Sequence, residues 1–343
     1  MPYSRRWRLY SRGASVRAPE FWTGTEDAWL ARALAPAAWT WAAASRARFA
    51  LARPWRAPAK VLCVGNLVAG GAGKTPLALE LARRILRRGH AVHILTRGYG
   101  GTFPGPVKVD KARHGASDVG DEALLHARVA TTWVGRDRAE TAKAACADGA
   151  RVLVMDDGFQ NPSLVKDFSI LAVDGAVGFG TGRVMPAGPL RESLGFGLAR
   201  ADAVVIIGLD EKGASSRIRD LRPELPILGA RIAPGPEAAR LKGRPVFAFA
   251  GIGRPEKFFA TARAAGIEVR ETLAFPDHHV YSDSNFSEIF RRAAALGAAP
   301  LTTAKDAARI TPSARAQVEV LTMALVWEDE AALETLLHRF LAP

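Results

Sequence analysis

The run Val61-Leu62-Cys63-Val64-Gly65-Asn66-Leu67-Val68-Ala69-Gly70-Gly71-Ala72-Gly73-Lys74-Thr75-Pro76 decides the architecture. Its first four residues are apolar, which reads as a short buried strand. The glycines that follow let consecutive backbone N–H groups point into one concavity, and a helix start beyond them adds partial positive charge. Lys74 then reaches the outer phosphates of a nucleoside triphosphate, and the Thr75 hydroxyl ligates Mg²⁺. Pro76 falls in the first helical turn, where its missing N–H costs nothing. The general spacing G-x-x-x-x-G-K-[ST] is not fully met, because Val68 stands at its first glycine. Gly70 and Gly71 supply the flexibility instead. Gly70, Gly71, Ala72, Gly73, Lys74 and Thr75 are therefore the expected phosphate-binding residues.

Outward from this loop, short apolar runs alternate with helical stretches. Strands are expected at Val61–Val64, Ala91–Leu95, Thr131–Val134, Val152–Met155, Ile170–Val173 and Ala203–Ile207, with helices such as Lys74–Arg88 and Arg138–Ala147 between them. Such alternation predicts an α/β fold: a largely parallel sheet of the P-loop type with helices on both faces. A second series starts near Pro245, with strands at Val246–Ala250, Glu268–Leu273, Leu301–Thr303 and Val318–Val326. Its helices are expected near Pro255–Ala265 and Ser284–Ala295. This predicts a smaller second α/β lobe. The expected division is 1–58, 59–225 and 226–343, with the lobe boundary inside the Gly-, Pro- and charge-rich stretch 210–242.

Val152-Leu153-Val154-Met155-Asp156-Asp157 is an apolar strand ending in two acids. Adjacent carboxylates at the end of a buried strand are costly without a cation or hydrogen bonds. Asp156 is the first choice for Mg²⁺, with Asp157 beside it. Further loops follow expected strand ends or open expected helices: Thr96–Gly101, Val119–Glu122, Gly135–Arg138, Arg183–Glu192 and Phe275–His279. Open α/β sheets bind ligands at such positions.

Net charge is unevenly placed in the 343 residues, which hold 47 Lys+Arg against 34 Asp+Glu. Residues 1–58 contain ten arginines, three acids and six of the eight tryptophans. No charge-free stretch exceeds thirteen residues, short of the roughly 20 apolar residues that cross a bilayer. Helical spacing puts Leu30, Leu34 and Trp41 on one face and Arg32 and Arg46 opposite. Trp39 and Arg48 spoil the pattern, and Pro36 kinks the helix or starts a second one. An interfacial helix on an anionic membrane surface and a helix packed on the domain behind it both fit. The two cysteines, Cys63 and Cys146, build no disulfide framework, and no Cys/His cluster has zinc spacing. No base-stacking motif accompanies the arginines, so nucleic acid is not the expected partner.

In order and spacing these segments resemble the tetraacyldisaccharide 4'-kinase family, the lipid A kinases of Gram-negative bacteria. The resemblance runs from about Pro54 to the C-terminus. It rests on Val64-Gly65-Asn66, Gly70–Pro76, Arg97–Gly101, Val119–Glu122, Gly135–Arg138, Asp156-Asp157-Gly158 and Pro186–Glu192. In the second lobe it adds Ala250–Gly253, Asp277-His278 and Lys305-Asp306-Ala307. Asn161 stands where the family typically has His, and Ala304 where it commonly has Glu. The resemblance implies transfer of the ATP γ-phosphoryl group, with Mg²⁺, to the 4'-hydroxyl of a membrane-embedded tetraacylated glucosamine disaccharide 1-phosphate. It implies Asp121 as catalytic base and His278 as its partner. Arg191, supported by Arg138 or Arg97, would stabilise charge on the transferred group, and Glu192 would orient one of those cations or help with Mg²⁺. A peripheral, monomeric protein on the cytoplasmic face of the inner membrane is expected. A partitioning-type membrane ATPase is the competing class, but Ala69 stands where its extra lysine would be.

Overall fold

The computed structural model describes residues 19–22 and 29–342. Trp7 and the arginines from Arg5 to Arg17 lie outside the described residues.

The large sheet has nine strands. In chain order these are β1 (Lys60–Gly65), β2 (Val92–Thr96), β3 (Val107–Lys108), β4 (Thr131–Val134), β5 (Val152–Asp156), β6 (Phe168–Asp174), β7 (Ala203–Ile207) and β8 (Ile227–Pro234), plus one from the far end of the chain. The small sheet consists of β9 (Pro245–Ala250), β10 (Glu268–Ala274), β11 (Ala299–Thr303) and β12 (Glu319–Leu321). The chain then returns to the large sheet through β13 (Met323–Trp327).

The large sheet is ordered β13-β8-β7-β6-β1-β5-β2-β4-β3. Its strands from β8 through β4 pair in parallel, and β13 and β3 close the two edges antiparallel. Successive residues of the central strand feed opposite cores. Leu62 and Val64 pack with Leu77, Leu81 and Ile85 of the helix Lys74–Arg87, while Val61 and Cys63 join Leu153, Leu171 and Phe159 on the other face. Burial on both faces is the reason the strands read as continuous apolar runs rather than alternating ones. In the small sheet Val246, Ala248 and Ala250 face one core, and Phe247 and Phe249 the other.

The expected strands of the first series form within a residue or two of their expected limits. The second lobe departs from expectation in two ways. Val318–Val326 is not one strand: β12 extends the small sheet beside β11, and β13 pairs with β8 in the large one. The 226–343 boundary therefore does not follow the sheets, since β8, β13 and the helix Glu330–Leu341 all belong to the large lobe. That helix buries Leu333, Leu336, Leu337 and Phe340 in the core shared with the phosphate-loop helix. Segregation into sheets is decided by which faces are left to cover, and local apolar content does not encode it.

Pro36 sits in the first turn of the helix Ala35–Ala50, which follows the short helix Trp29–Ala33. The longer helix lies against the large lobe: Trp41 Nε1 donates to the Arg191 carbonyl (2.9 Å), and the Phe49 ring packs on Phe196 and the Arg200 guanidinium. Trp29 and Trp39 remain 77% and 73% exposed, and Leu51 82%. Among the described residues no helix is long and apolar enough to cross a membrane.

Candidate active site

Chain order around β1 reverses at the centre of the sheet: β2 lies beyond β5 on one side and β6 adjoins β1 on the other. That switch point opens a crevice at the C-terminal strand ends. The phosphate loop lies there, between Gly65 and the helix starting at Lys74. Gly70 and Gly73 have φ of +124° and +79°, a region only glycine enters freely. Gly73 also lacks room for a side chain, since a Cβ would stand 2.5 Å from Ile207 Cδ1. Lys74 Nζ lies 3.2 Å from Asn66 Oδ1 and 3.7 Å from Asp157 Oδ1. The unpaired N–H groups of the first helical turn make an anion-binding end.

Asp156 closes β5 and is fully buried beside this loop. Its Oδ2 accepts from the Thr75 hydroxyl (3.0 Å) and lies 2.9 Å from His126 Nε2. Burial would raise its carboxyl, but His126, Lys74 and Thr75 outweigh it and hold the group below the usual carboxylate value. Oδ1 is buried with no hydrogen-bond partner. An ionised oxygen left bare beside a threonine hydroxyl is the donor pair a hard, oxygen-seeking cation takes, so Thr75 and Asp156 fit Mg²⁺. Asp157 turns away with φ +52° and receives Arg191 Nη1 at 2.9 Å. The Asp157–Arg191 pair thus stands next to Lys74.

Asp121 opens a helix preceded by Gly120. With φ +85° and a Cβ that would meet the Tyr99 carbonyl oxygen at 2.5 Å, Gly120 must be glycine for the 97–101 loop to pack here. The Asp121 carboxylate is buried where the lobes meet. His278 Nδ1 approaches its Oδ2 at 3.1 Å, Arg309 Nε at 3.3 Å and Lys305 Nζ at 3.9 Å. All three cationic or imidazole groups come from the second lobe. Burial would raise the Asp121 carboxyl, yet the His278 hydrogen bond and the charges of Lys305, His278 and Arg309 hold it below its ordinary value. His278 itself has φ +58°, one of only two non-glycine residues in the left-handed region among those described, the other being Asp157. Such strain collects where surrounding structure over-determines a functional conformation. The His278 N–H is held by the Gly251 carbonyl (3.1 Å), and its ring lies 5.5 Å from that of Tyr99.

His278, Lys305, Lys74, Thr75, Asp156, Asp157 and Arg191 all line one cleft of about 1660 Å³ between the lobes. Two sequence expectations are met differently. Glu192 is buried and accepts from Gln160 Nε2 (2.9 Å) and from Arg200, so it orients Arg200 rather than Arg191, Arg138 or Arg97. Arg138 is buried with Nη1 on the Gly135 carbonyl (2.8 Å), and burial lowers its guanidinium to about 10. Arg97 lines the cleft.

Residues 30–342 match the family described as tetraacyldisaccharide-1-P 4'-kinase. The chain belongs to that family. It is 51% identical to a tetraacyldisaccharide 4'-kinase of Rhodospirillum centenum, over 95% of this chain and 97% of the relative. A tetraacyldisaccharide 4'-kinase of Gluconacetobacter diazotrophicus is 53% identical over 95% and 98% of the two chains. The fold is also that of a crystal structure of LpxK from Aquifex aeolicus in complex with ATP, at a TM-score of 0.72 and 28% identity, covering 91% of this chain and 99% of that one.

Membership in the family leaves two neighbours of the acids that sequence reasoning did not single out. Arg309 is almost wholly buried and also holds the carbonyls of His279 (3.0 Å) and Gly251 (2.9 Å) and the Asp306 carboxylate (2.9 Å). It stands four residues after Lys305, past the end of the short helix Ala304–Ala307, and nothing in its local sequence marks it. His126, with neither ring nitrogen in an aligned hydrogen bond, carried no signal beyond lying five residues after Asp121.

Proposed function

We propose that the protein transfers the γ-phosphoryl group of ATP to the 4'-hydroxyl of a tetraacylated glucosamine disaccharide 1-phosphate, in lipid A biosynthesis. The observation that carries this reading is the Asp121–His278 pair, which joins the lobes while His278 lines the cleft that holds Lys74. A switch-type ATPase has no need of a hydroxyl-activating base brought from a second lobe.

In this reading the phosphate loop and Lys74 hold the triphosphate, and Asp121 takes the proton of the acceptor hydroxyl as its oxygen attacks the γ-phosphorus. A positioned base is needed because an alcohol is a poor nucleophile until its proton leaves. The His278 imidazole, donating from Nδ1, orients the Asp121 carboxylate. Arg191, held by Asp157, supplies fixed positive charge for the transferred group. Thr75 and Asp156 would hold Mg²⁺, which when bound neutralises charge on the outer phosphates. Acyl chains keep such an acceptor in a membrane. The exposed Trp29, Trp39 and Leu51, beside an arginine-rich segment, support peripheral attachment to an anionic bilayer on the cytoplasmic side of the inner membrane.

The test is phosphotransfer by the purified protein with ATP and a tetraacyl disaccharide 1-phosphate in mixed micelles. Expected are ADP and a bisphosphorylated lipid in equal amounts, with little ATP turnover when the lipid is left out. ATP turnover indifferent to the lipid would overturn the reading in favour of a hydrolytic ATPase.

A further inference from the structure

Lys305 belongs to a segment marked by the family resemblance, and the mechanism above gives it no task. Its backbone is held rigidly. The short helix Ala304–Ala307 is capped by Thr303, and Asp306 is fully buried, accepting from the Gly251 N–H (3.0 Å), Tyr281 Oη (2.8 Å) and the Thr303 hydroxyl (2.7 Å). From this platform Lys305 Nζ reaches 3.3 Å from His278 Nε2. Three carboxylates surround the same nitrogen, with Asp277 at 3.5 Å and Asp121 and Glu122 each at 3.9 Å. That is the setting of an ammonium ion.

An ammonium group has three donors and no acceptor, and a neutral imidazole has one donor and one acceptor. A donor facing Nε2 therefore requires Nε2 to be the accepting nitrogen. The ring proton then sits on Nδ1, the nitrogen 3.1 Å from Asp121 Oδ2. The rival acceptor for an Nε2 proton is Asp277 Oδ2, which stands 3.9 Å away, beyond hydrogen-bond reach. Asp277 Oδ1 instead accepts the His278 backbone N–H (3.0 Å) and helps to hold Lys305. We infer that Lys305 is a positioning residue that locks His278 in its Nδ1–H tautomer, so that the imidazole always presents a donor to Asp121.

Without this lock, the ring is free to place its proton on Nε2, and a lone pair then faces the Asp121 carboxylate. Two acceptors meeting at 3.1 Å repel, and the base loses both its orientation and its hydrogen bond. The inference rests on the proposed role of Asp121, but the tautomer can be measured without reference to turnover.

The test uses the full chain labelled with ¹⁵N-histidine, at about pH 8.5, roughly two units above the ordinary imidazole value. The His278 signals are assigned by their loss in His278→Asn. Expected in the wild type is a protonated Nδ1 and a bare Nε2. Lys305→Met should move proton population to Nε2, and Lys305→Arg, another pure donor, should keep the wild-type pattern. In turnover, Lys305→Met should lower kcat about tenfold, a part of the roughly 10²–10⁴ that general-base catalysis contributes. The same change in the His278→Asn background should cost less than about twofold, because an amide has no tautomer to lock. An Nε2–H wild type, or a Lys305→Met spectrum still showing Nδ1–H, overturns the inference. Equal loss of kcat in both backgrounds also overturns it, and makes Lys305 a simple charge near Asp121. If instead Asp121→Asn remains active while the tautomer responds as expected, the base assignment fails and the lock stands.

Discussion

Breaking the Asp121–His278 contact from each side gives a quantitative test of the site. Asp121→Asn keeps the shape of the side chain and an oxygen for Arg309, but an amide cannot take the acceptor proton. General-base catalysis is worth about 10²–10⁴ in rate, so kcat should fall by that order. His278→Ala removes one hydrogen bond to a buried carboxylate at 3.1 Å. Such a bond is worth about 1.5–3 kcal/mol, or roughly 10- to 150-fold if expressed fully in the transition state. Arg309 and Lys305 still hold the carboxylate from the second lobe in this variant, so the lobes remain bridged. Because the imidazole works only through the carboxylate, the double variant should be hardly slower than Asp121→Asn alone. The assay is kcat for the four proteins at saturating ATP and lipid, with melting temperatures to show that each is folded. Strictly additive losses would refute the dyad, and an Asp121→Asn protein of near wild-type kcat would refute the base.

Lys74→Ala should abolish nearly all phosphotransfer while leaving the fold intact, whereas Thr75→Ala should be partly relieved by raising Mg²⁺, as a titration of rate against Mg²⁺ will show. Replacing exposed Trp29 and Trp39 together by Ser should weaken sedimentation with anionic vesicles without lowering the melting temperature, and binding of the wild type should fall with salt. This substitution is cleaner than deleting the segment, because Trp41 and Phe49 of the same helix brace Arg191 and Arg200. Burial pushes the Cys63 thiol up to about 12; thiolate is the reactive form, so at pH 8 Cys63 should resist a thiol reagent in the native protein and react once denaturant is added.

Local signals were enough for much of this molecule. An apolar run, a glycine loop and Lys74-Thr75 are contiguous, so their meaning survives without knowledge of the remaining chain. The same holds for β5 ending in Asp156-Asp157, and for Pro36 starting a helix. The roles of Asp121 and His278 were legible only through the family resemblance, since 157 positions separate them. What tertiary structure alone decided lies in the second half. Val318–Val326 reads as one apolar strand, yet it divides between two sheets at Thr322, because one edge beside β11 and another beside β8 both needed a partner. The C-terminal helix belongs to the first lobe for a similar reason: the sheet face beside the phosphate-loop helix was left to cover. The family resemblance gives Glu192 a place beside the catalytic cations, but its buried carboxylate is taken up by Arg200 and the Gln160 amide, partners that lie far off in sequence or a helix away and that only the fold brings to it. Arg309 and Lys305 acquire meaning only when the lobes meet, where burial of the Asp121 carboxylate requires compensating charge. Periodicity and motif report what a residue does with its neighbours in sequence; charge compensation across a cleft depends on distance in space, and that is set by the packed fold.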